Sequence, residues 1–329
     1  MRAISYDRFG PAADVLELVD LDTPEPGPGE VRVRLAFSGV NPSDAKARAG
    51  SRPGVTKPAF PRVVPHSDGS GRIDAVGDGV DAARLDERVW IWNGQWQRPF
   101  GTAAEFICLP ADQAVPLPDG VSLEVGATLG IPGLTAAHTV FGGGDVAGRT
   151  LLISGGAGAV GHIAVQLAKW GGAQVIATAR GTGMRRAAEA GAHHVLDYTH
   201  PHLAAQVMAA TDGAGVDRAV EVEFGPNAAM LAEVMRPGCT ICAYGSGGDM
   251  TPTLPFGPYL FKALTLDIVL IYILGEAERR VAIGRLHDAL AAGALDPAIA
   301  EIYPLSQAAE AQDAVMTPGR AGAVLLDLR

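Results

Sequence analysis

The residues best placed to do chemistry lie in LLISGGAGAVGHIAVQLAKWG, residues 151–171. A strand-like run, Leu151 to Ser154, leads into a glycine cluster and then into an amphipathic helix carrying Ile163, Val165, Leu167 and Ala168. Within the cluster, Gly156, Gly158 and Gly161 fit G-x-G-x-x-G. In that pattern the first glycine permits a tight turn, the second lets backbone approach a pyrophosphate, and the third lets the helix pack on the strand. A helix N-terminus leaves N–H groups unpaired and carries a partial positive charge, so Gly156, Ala157, Gly158, Ala159, Val160 and Gly161 are assigned to a cofactor's phosphates. The pattern alone is weak, because a structural turn would use glycine too and the chain has 42 of them. Context strengthens it: the strand-like run Gln174 to Thr178 follows and completes a βαβ unit of about 30 residues.

The residues after that second strand bear on which dinucleotide is bound. A site that prefers NAD places an Asp or Glu about 20 residues past the glycines, to bind the ribose hydroxyls. Here QVIATARGTGMRR has no acid and instead offers Thr178, Arg180, Arg185 and Arg186. The expected cofactor is therefore NADPH, with Arg180 as the main clamp, since a guanidinium binds phosphate in a bidentate, charge-assisted way. Tyr244 and Gly245, at the end of the later strand-like run Thr240 to Tyr244, are placed at the same cofactor site.

Composition excludes several other classes. Charged residues make up 19% of the chain and hydrophobic ones 48%, yet no run reaches the roughly 18 to 20 apolar residues of a membrane span. The formal net charge is −10 with basic residues scattered, which argues against nucleic acid as a partner. MRAISYDRFG has no apolar stretch after its basic residue, so a cytoplasmic location is expected. The three cysteines are an odd number, which fits a reducing compartment better than a disulfide framework. Cys239 and Cys242 form C-x-x-C, but no further metal ligands stand at matching spacing and the segment reads as strand, so both are expected to be inert buried thiols.

The order of elements changes along the chain. Val15 to Val19 and Val31 to Phe37 alternate apolar and polar residues, the period of half-buried strands. Further strands are expected at 72–76, 88–92 and 103–109, and many short strands at close spacing point to a barrel-like all-β domain. GVNPSDAKARAG allows a helical turn opened by Asn-Pro, and the following stretch is dense in Pro and Gly. From Leu123 the pattern becomes helix, interrupted near Pro132, and from Arg149 strand and helix alternate, as in a parallel, doubly wound sheet. Helices are expected at 184–190, 203–210 and 227–235, the last stopped by Pro237-Gly238, and an amphipathic one at 276–292. Thr265 to Leu274 is a β-rich apolar run, and the closing GAVLLDLR reads as a strand that returns to the first domain.

Five ordered stretches carry a family resemblance: GVNPSD (39–44), PHSDGSGRIDAVGDGV (65–80), GIPGLTAAH (130–138), SGGAGAVGHIAVQLAKWGGAQVIAT (154–178) and the late LSQAAEAQDAV. Together they resemble a zinc-free member of the medium-chain dehydrogenase/reductase superfamily, in its quinone oxidoreductase (zeta-crystallin-like) branch, over essentially the whole chain. The resemblance implies a Rossmann-type doubly wound parallel sheet domain, residues 124–293, inserted into a GroES-like β-barrel catalytic domain built from residues 1–123 plus 294–329. It further implies NADPH in the cleft between them, Thr135 near the cofactor, and a homodimer. In metal-dependent relatives a Cys, a His and an acidic residue stand where this chain has Asn41, Ser67 and Asp68. Amide and hydroxyl groups are poor zinc ligands, so no metal is expected.

Without zinc to polarise a carbonyl, the acceptor must already be electrophilic: a quinone or another conjugated carbonyl. Asn41 is the expected hydrogen-bond donor to it, although Asn-Pro also suits a plain turn. Lys46 stands where many relatives have a tyrosine at the substrate site, with Arg48 beyond it, and would favour an acceptor that becomes anionic; a solvated lysine would look the same. Phe256, Tyr259 and Phe261 either wall the pocket or bury a dimer surface. The expectation is thus a zinc-independent, NADPH-dependent reductase of small quinones or conjugated carbonyls. An enone or enoyl reductase, and a low-turnover NADPH-binding protein with a structural or RNA-binding role, are the alternatives.

Overall fold

A computed structural model describes residues 1–51 and 54–329, so Arg52 and Pro53 of the stretch dense in Pro and Gly lie outside the described residues. The chain divides into two compact units, Met1–Ile131 with Ile299–Arg329, and Pro132–Ala298.

The first unit is organised on one long strand, Glu30–Val40, whose inward positions Val31, Val33 and Leu35 are buried. On one side it pairs antiparallel with Asp68–Val76. On the other its first half pairs with Phe106–Pro110 and its last half with the late strand Ala323–Asp327, both antiparallel. Register shifts near Val33 and Phe37 bend the strand, so that it can serve two partners along one edge. The order across the sheet is Ile299–Pro304, Ala323–Asp327, Glu30–Val40, Asp68–Val76, Arg88–Ile91, Ala114–Pro116. The closing strand therefore belongs to the first unit through its pairing with Phe37 to Val40. Val15 to Val19 is not one strand: residues Ala12–Val15 make a helical turn, and the strand is Glu17–Asp20, paired with Arg2–Ser5.

The helix Pro42–Arg48 is longer than the turn expected there, and its start explains it. Asn41 is extended (φ −117°, ψ 155°), Pro42 occupies the first helical position where its missing N–H is not needed, and the Asp44 carboxylate accepts the Asn41 N–H.

The second unit is a six-stranded sheet, parallel throughout, in the order His194–Asp197, Gln174–Ala179, Thr150–Ile153, Val216–Glu221, Met235–Ala243, Thr265–Ile268. Winding starts at Thr150–Ile153 and reverses beside it, which makes the gap between Thr150–Ile153 and Val216–Glu221 the topological switch point. The stop at Pro237-Gly238 is a correction: the helix Phe224–Val234 ends earlier, and the strand Met235–Ala243 begins at once and runs through both residues, with Gly238 at φ 73°. The apolar run from Thr265 is strand only to Ile268 and then a 3-10 turn at Ile271–Ile273. No helix among the described residues is long and apolar enough to cross a membrane.

Candidate active site

In the second unit the glycine-rich turn stands at the carboxyl end of Thr150–Ile153, and its geometry redistributes the expected roles. The left-handed residue is Gly155 (φ 69°), one before the motif, which needs no side chain there. Gly156 is a packing position: a Cβ on it would lie 2.8 Å from the Ala177 Cβ on the neighbouring strand. Gly161 lets the helix Ala159–Trp170 close onto the turn, since a Cβ there would lie 2.1 Å from the Gly155 carbonyl oxygen. Gly158 is different, because a Cβ would meet only that same oxygen at 3.4 Å and its outer side is open. The helix is capped at Gly158, and its first internal bond runs from the His162 N–H to the Gly158 carbonyl (2.8 Å). The N–H groups of Ala159, Val160 and Gly161 precede that bond and are not used within the helix. Open backbone at Gly158 in front of these N–H groups fits a pyrophosphate.

Two neighbouring strands fix the turn. Thr178 is buried and accepts the Gly155 N–H on its hydroxyl (3.2 Å), while its carbonyl takes the Gly156 N–H (2.9 Å). Ser154 donates to the carboxylate of Glu221 (2.6 Å), which is fully buried. Burial raises the Glu221 acid, and hydrogen bonds from Ser154, the Glu223 N–H and Asn227 oppose that rise. Tyr244 donates its N–H to the Glu221 carbonyl (3.0 Å), and burial lifts its hydroxyl above the ordinary range. Gly245 is required because a Cβ would lie 2.5 Å from the Val222 carbonyl oxygen.

The three arginines separate. Arg180 is exposed, the first residue beyond Gln174–Ala179. Arg185 points outward, its side chain 83% exposed, and pairs with Glu189 at 3.5 Å. Arg186 has a buried Nη1 without a hydrogen-bond partner. Gly183 packs on the turn: a Cβ would sit 3.0 Å from that of Ala157. Thr135 is buried on the helix Leu134–Phe141.

In the first unit the site is a knot of buried polar groups. Asn41 donates from Nδ2 to the Asp68 carboxyl (2.7 Å), whose other oxygen accepts the Ile131 N–H (2.8 Å). Burial pushes the Asp44 acid up to about 7, against the pull of its hydrogen bonds from Asn41. Burial, and then the charge of Asp44, hold Asp68 well above the usual carboxylate range. His66 is fully buried in the left-handed backbone region (φ 76°). Arg48 Nε donates to Gln312 Oε1, which leaves the Gln312 amide N–H to donate to His66 Nε2 (3.1 Å). His66 must then carry its proton on Nδ1, facing the Ser38 hydroxyl at 3.0 Å, and Ser38 leads through Thr102 to the Asp68 carbonyl. Burial lowers the His66 imidazolium to about 3, so the ring is neutral. Arg48 is a buried strut bonded to Gln312 and the Gly10 carbonyl, not a second pocket cation. The Lys46 side chain is exposed and makes no hydrogen bond or ion pair among the described residues, so it is not tied to buried Asn41.

The donor set does not fit zinc. The three places hold an amide, a hydroxyl and an acid already bonded to Asn41 and Ile131, and no group of three or more His, Cys, Asp or Glu among the described residues is arranged to hold a metal ion. Cys239 and Cys242, three apart in one strand, project to opposite faces. Burial raises both thiols, that of Cys242 to about 11 against the opposing charge of Arg218. Phe256 and Phe261 are exposed, 66% and 87%, while Tyr259 is buried with its hydroxyl on the Ala228 carbonyl (3.2 Å).

Reading the sequence alone missed Gly155, Asp44 and Glu221. The first was signalled by the Gly155-Gly156 doublet; the others, by an acid at a helix start and an acid closing an apolar strand, were signals too common to single out.

Two family models match the chain: "Alcohol dehydrogenase GroES-like domain" over residues 27–119 and "Zinc-binding dehydrogenase" over 159–284. The quinone oxidoreductase of Rattus norvegicus is 29% identical, over 99% of this chain and 97% of its own. A solved NAD-dependent alcohol dehydrogenase is 30% identical, with a TM-score of 0.87 and 99% of both chains covered. A mycobacterial protein solved in complex with NADPH is 28% identical, with a TM-score of 0.87, over 99% of this chain and 100% of that one.

The raised acid of Asp44 gives a signed pH dependence. Its neutral form is favoured on folding, so its contribution to stability is full below the ordinary value of 3.8 and is lost as pH rises through about 7. Asp44→Asn should therefore gain on the wild type with rising pH: the difference in Tm, variant minus wild type, should grow by roughly 2 to 8 °C between pH 4.5 and 8. Calorimetry across that range showing a constant difference would count against the buried neutral acid.

Proposed function

Because the chain belongs to the medium-chain dehydrogenase/reductase superfamily, in its quinone oxidoreductase branch, we propose that this NADPH-binding oxidoreductase delivers a hydride to a quinone or another conjugated carbonyl without zinc. The observation that carries the reading is Asn41: where metal-dependent relatives have a thiolate, an amide is held in place by the carboxyl of Asp68 at 2.7 Å. Bound NADPH supplies the hydride. The chain's own residues bind and orient: Gly156 to Gly161 take the pyrophosphate, Arg180 the 2′-phosphate, and Thr135, Tyr244 and Gly245 complete the cofactor site.

The Asn41 amide is held by the Asp68 carboxyl and also interacts with Asp44; in this reading it donates to the acceptor oxygen as negative charge develops, in the manner of an oxyanion-hole donor. Lys46, exposed to solvent, attracts an acceptor that becomes anionic. No nucleophile stands with an activating base in these motifs, so the reaction is direct transfer rather than covalent catalysis.

We also infer a homodimer. Among the described residues the strand Thr265–Ile268 is the sheet's outer edge, bonded only to Met235–Ala243, and it is flanked by exposed apolar side chains, Phe261, Ile268 (76%) and Ile273 (65%). An open apolar edge of this kind invites pairing with a second copy. Sedimentation velocity should give a dimer for the wild type and a monomer for Ile268→Glu; a monomeric wild type at micromolar concentration would end this inference.

The activity is tested by NADPH oxidation against a panel of quinones and enones in the presence of a chelator. Acceptor-dependent turnover that survives chelation is expected, whereas cofactor binding with no acceptor-dependent oxidation would favour a low-turnover binding protein. Asn41→Ala should lower kcat by roughly 10- to 1000-fold with little change in NADPH affinity, and Lys46→Ala should act mainly on the acceptor KM. Unchanged turnover in both would remove them from the reaction. For the 2′-phosphate, Arg180→Ala should cut the preference for NADPH over NADH by about tenfold or more, the worth of a charge-assisted pair; an unaltered preference would transfer the role elsewhere.

A further inference from the structure

We propose that Glu221 is a positioning residue for the cofactor, tying three loops together at the switch point so that the glycine turn presents its N–H groups to the pyrophosphate of NADPH. This rests on the reading that the pyrophosphate lies at Gly156 to Gly161. In an open α/β sheet the ligand binds outside the carboxyl ends of the strands, where the winding reverses, and Glu221 is the last residue of one of the two strands that flank that point.

Its hydrogen bonds run to the segments that follow three adjacent strands, Thr150–Ile153, Val216–Glu221 and Met235–Ala243. Oε2 accepts the hydroxyl of Ser154, the residue between the strand Thr150–Ile153 and left-handed Gly155 (2.6 Å). Oε1 accepts the Glu223 N–H (2.6 Å) and Asn227 Nδ2 (3.1 Å), holding the following loop and the helix Phe224–Val234. Its backbone carbonyl takes the Tyr244 N–H (3.0 Å), holding the end of the next strand over. Ser154 also donates its N–H to the Val220 carbonyl (2.9 Å), so the residue that launches the glycine turn is gripped through both backbone and side chain.

Among the described residues of this unit, Glu221 is the one acid that is buried. Packing alone does not call for it, because taking a carboxylate out of water is unfavourable and an apolar residue would fill the volume without that cost. What a carboxylate adds is two oxygens able to accept three donors from two separate loops at once. Glu221 reaches the turn through the Ser154 hydroxyl, so it acts through the turn and not on the cofactor directly.

The test titrates Glu221→Ala and Glu221→Gln by calorimetry with NADPH and, separately, with adenosine 2′-monophosphate, which has the 2′-phosphate but no pyrophosphate. The expected result for Glu221→Ala is a rise of about 10- to 100-fold in the Kd for NADPH, with the Kd for adenosine 2′-monophosphate within about 3-fold of wild type. In Glu221→Gln one amide oxygen replaces two carboxylate oxygens, and the rise should be smaller, about 3- to 10-fold. Unchanged NADPH affinity in both variants would overturn the proposal, and so would an equal loss for the two ligands, which marks general damage to the unit. Should Glu221→Ala fail to fold, the isosteric Gln variant decides by the same criteria. The underlying reading is tested apart, by Gly158→Ala: a Cβ there meets only the Gly155 oxygen at 3.4 Å, so the fold is kept while the open side is filled. Unchanged NADPH affinity in that variant would move the pyrophosphate away from the turn, whatever Glu221 does.

Discussion

The nucleotide-binding unit depends on one close approach: the helix Ala159–Trp170 lies so near the preceding turn that a single methyl group on Gly161 would press into the Gly155 carbonyl oxygen. With the helix that near, its unused N–H groups and partial positive charge stand over the carboxyl end of the sheet, where an anion can reach them. The neighbouring parts answer to the same constraint. Ala177 on the next strand is small where Gly156 passes it, Thr178 holds two N–H groups of the turn, and Glu221 holds the residue that enters it. The small Ala177 makes room for the backbone, and the other two contacts are hydrogen bonds. Each places a backbone group, and backbone placement is what a phosphate site needs.

The first unit is built around a different constraint, the satisfaction of polar groups in a dry interior. Asn41, Asp44, His66 and Asp68 are all buried and all hydrogen-bonded. The chain from Arg48 through Gln312, His66, Ser38 and Thr102 to the Asp68 carbonyl has a single consistent direction of donation, which sets the tautomer of the ring. Holding a histidine at φ 76° costs on the order of 1 kcal/mol or more, and bonds at both ring nitrogens offset it. Gln312 lies on Ala308–Met316 and Ser38 on Glu30–Val40, so the late segment of the chain helps to fix the segment that carries Asp68.

Periodicity made most elements legible. Strands expected at 31–37, 88–92, 174–178 and 194–197, helices expected at 203–210 and 276–292, and the amphipathic helix after the glycines fall within about three residues of the observed 30–40, 88–91, 174–179, 194–197, 203–209, 276–291 and 159–170. The misses have physical reasons. Val15 to Val19 alternates like a strand, but Ala12 and Val15 are buried by a helical turn instead. Pro237-Gly238 reads as a stop, yet the strand needs no N–H from Pro237, and Gly238 supplies the positive φ of an irregular start where the register with Val216–Glu221 shifts. Ile299–Pro304 is a partly exposed strand with little apolar contrast, and only its pairing with Ala323–Asp327 defines it.

The sequence by itself determined the chemistry that spacing within one short segment can specify: a glycine-rich turn before an amphipathic helix, no acid after the second strand, and no thiolate or imidazole where metal-dependent relatives have them. Those features are local, so residue order alone exposes them. Only the tertiary structure decided which glycine turns the chain, that Arg48 is a strut while Lys46 is free, that Cys239 and Cys242 face apart, and that Asp44, Asp68 and Glu221 are the buried acids. The strut and the buried acids depend on which distant segments meet: Glu221 is joined to Ser154 across 67 residues and His66 to Gln312 across 246. Burial, and with it the cost of charge and the direction of each pKa, is a property of that meeting and not of the residue.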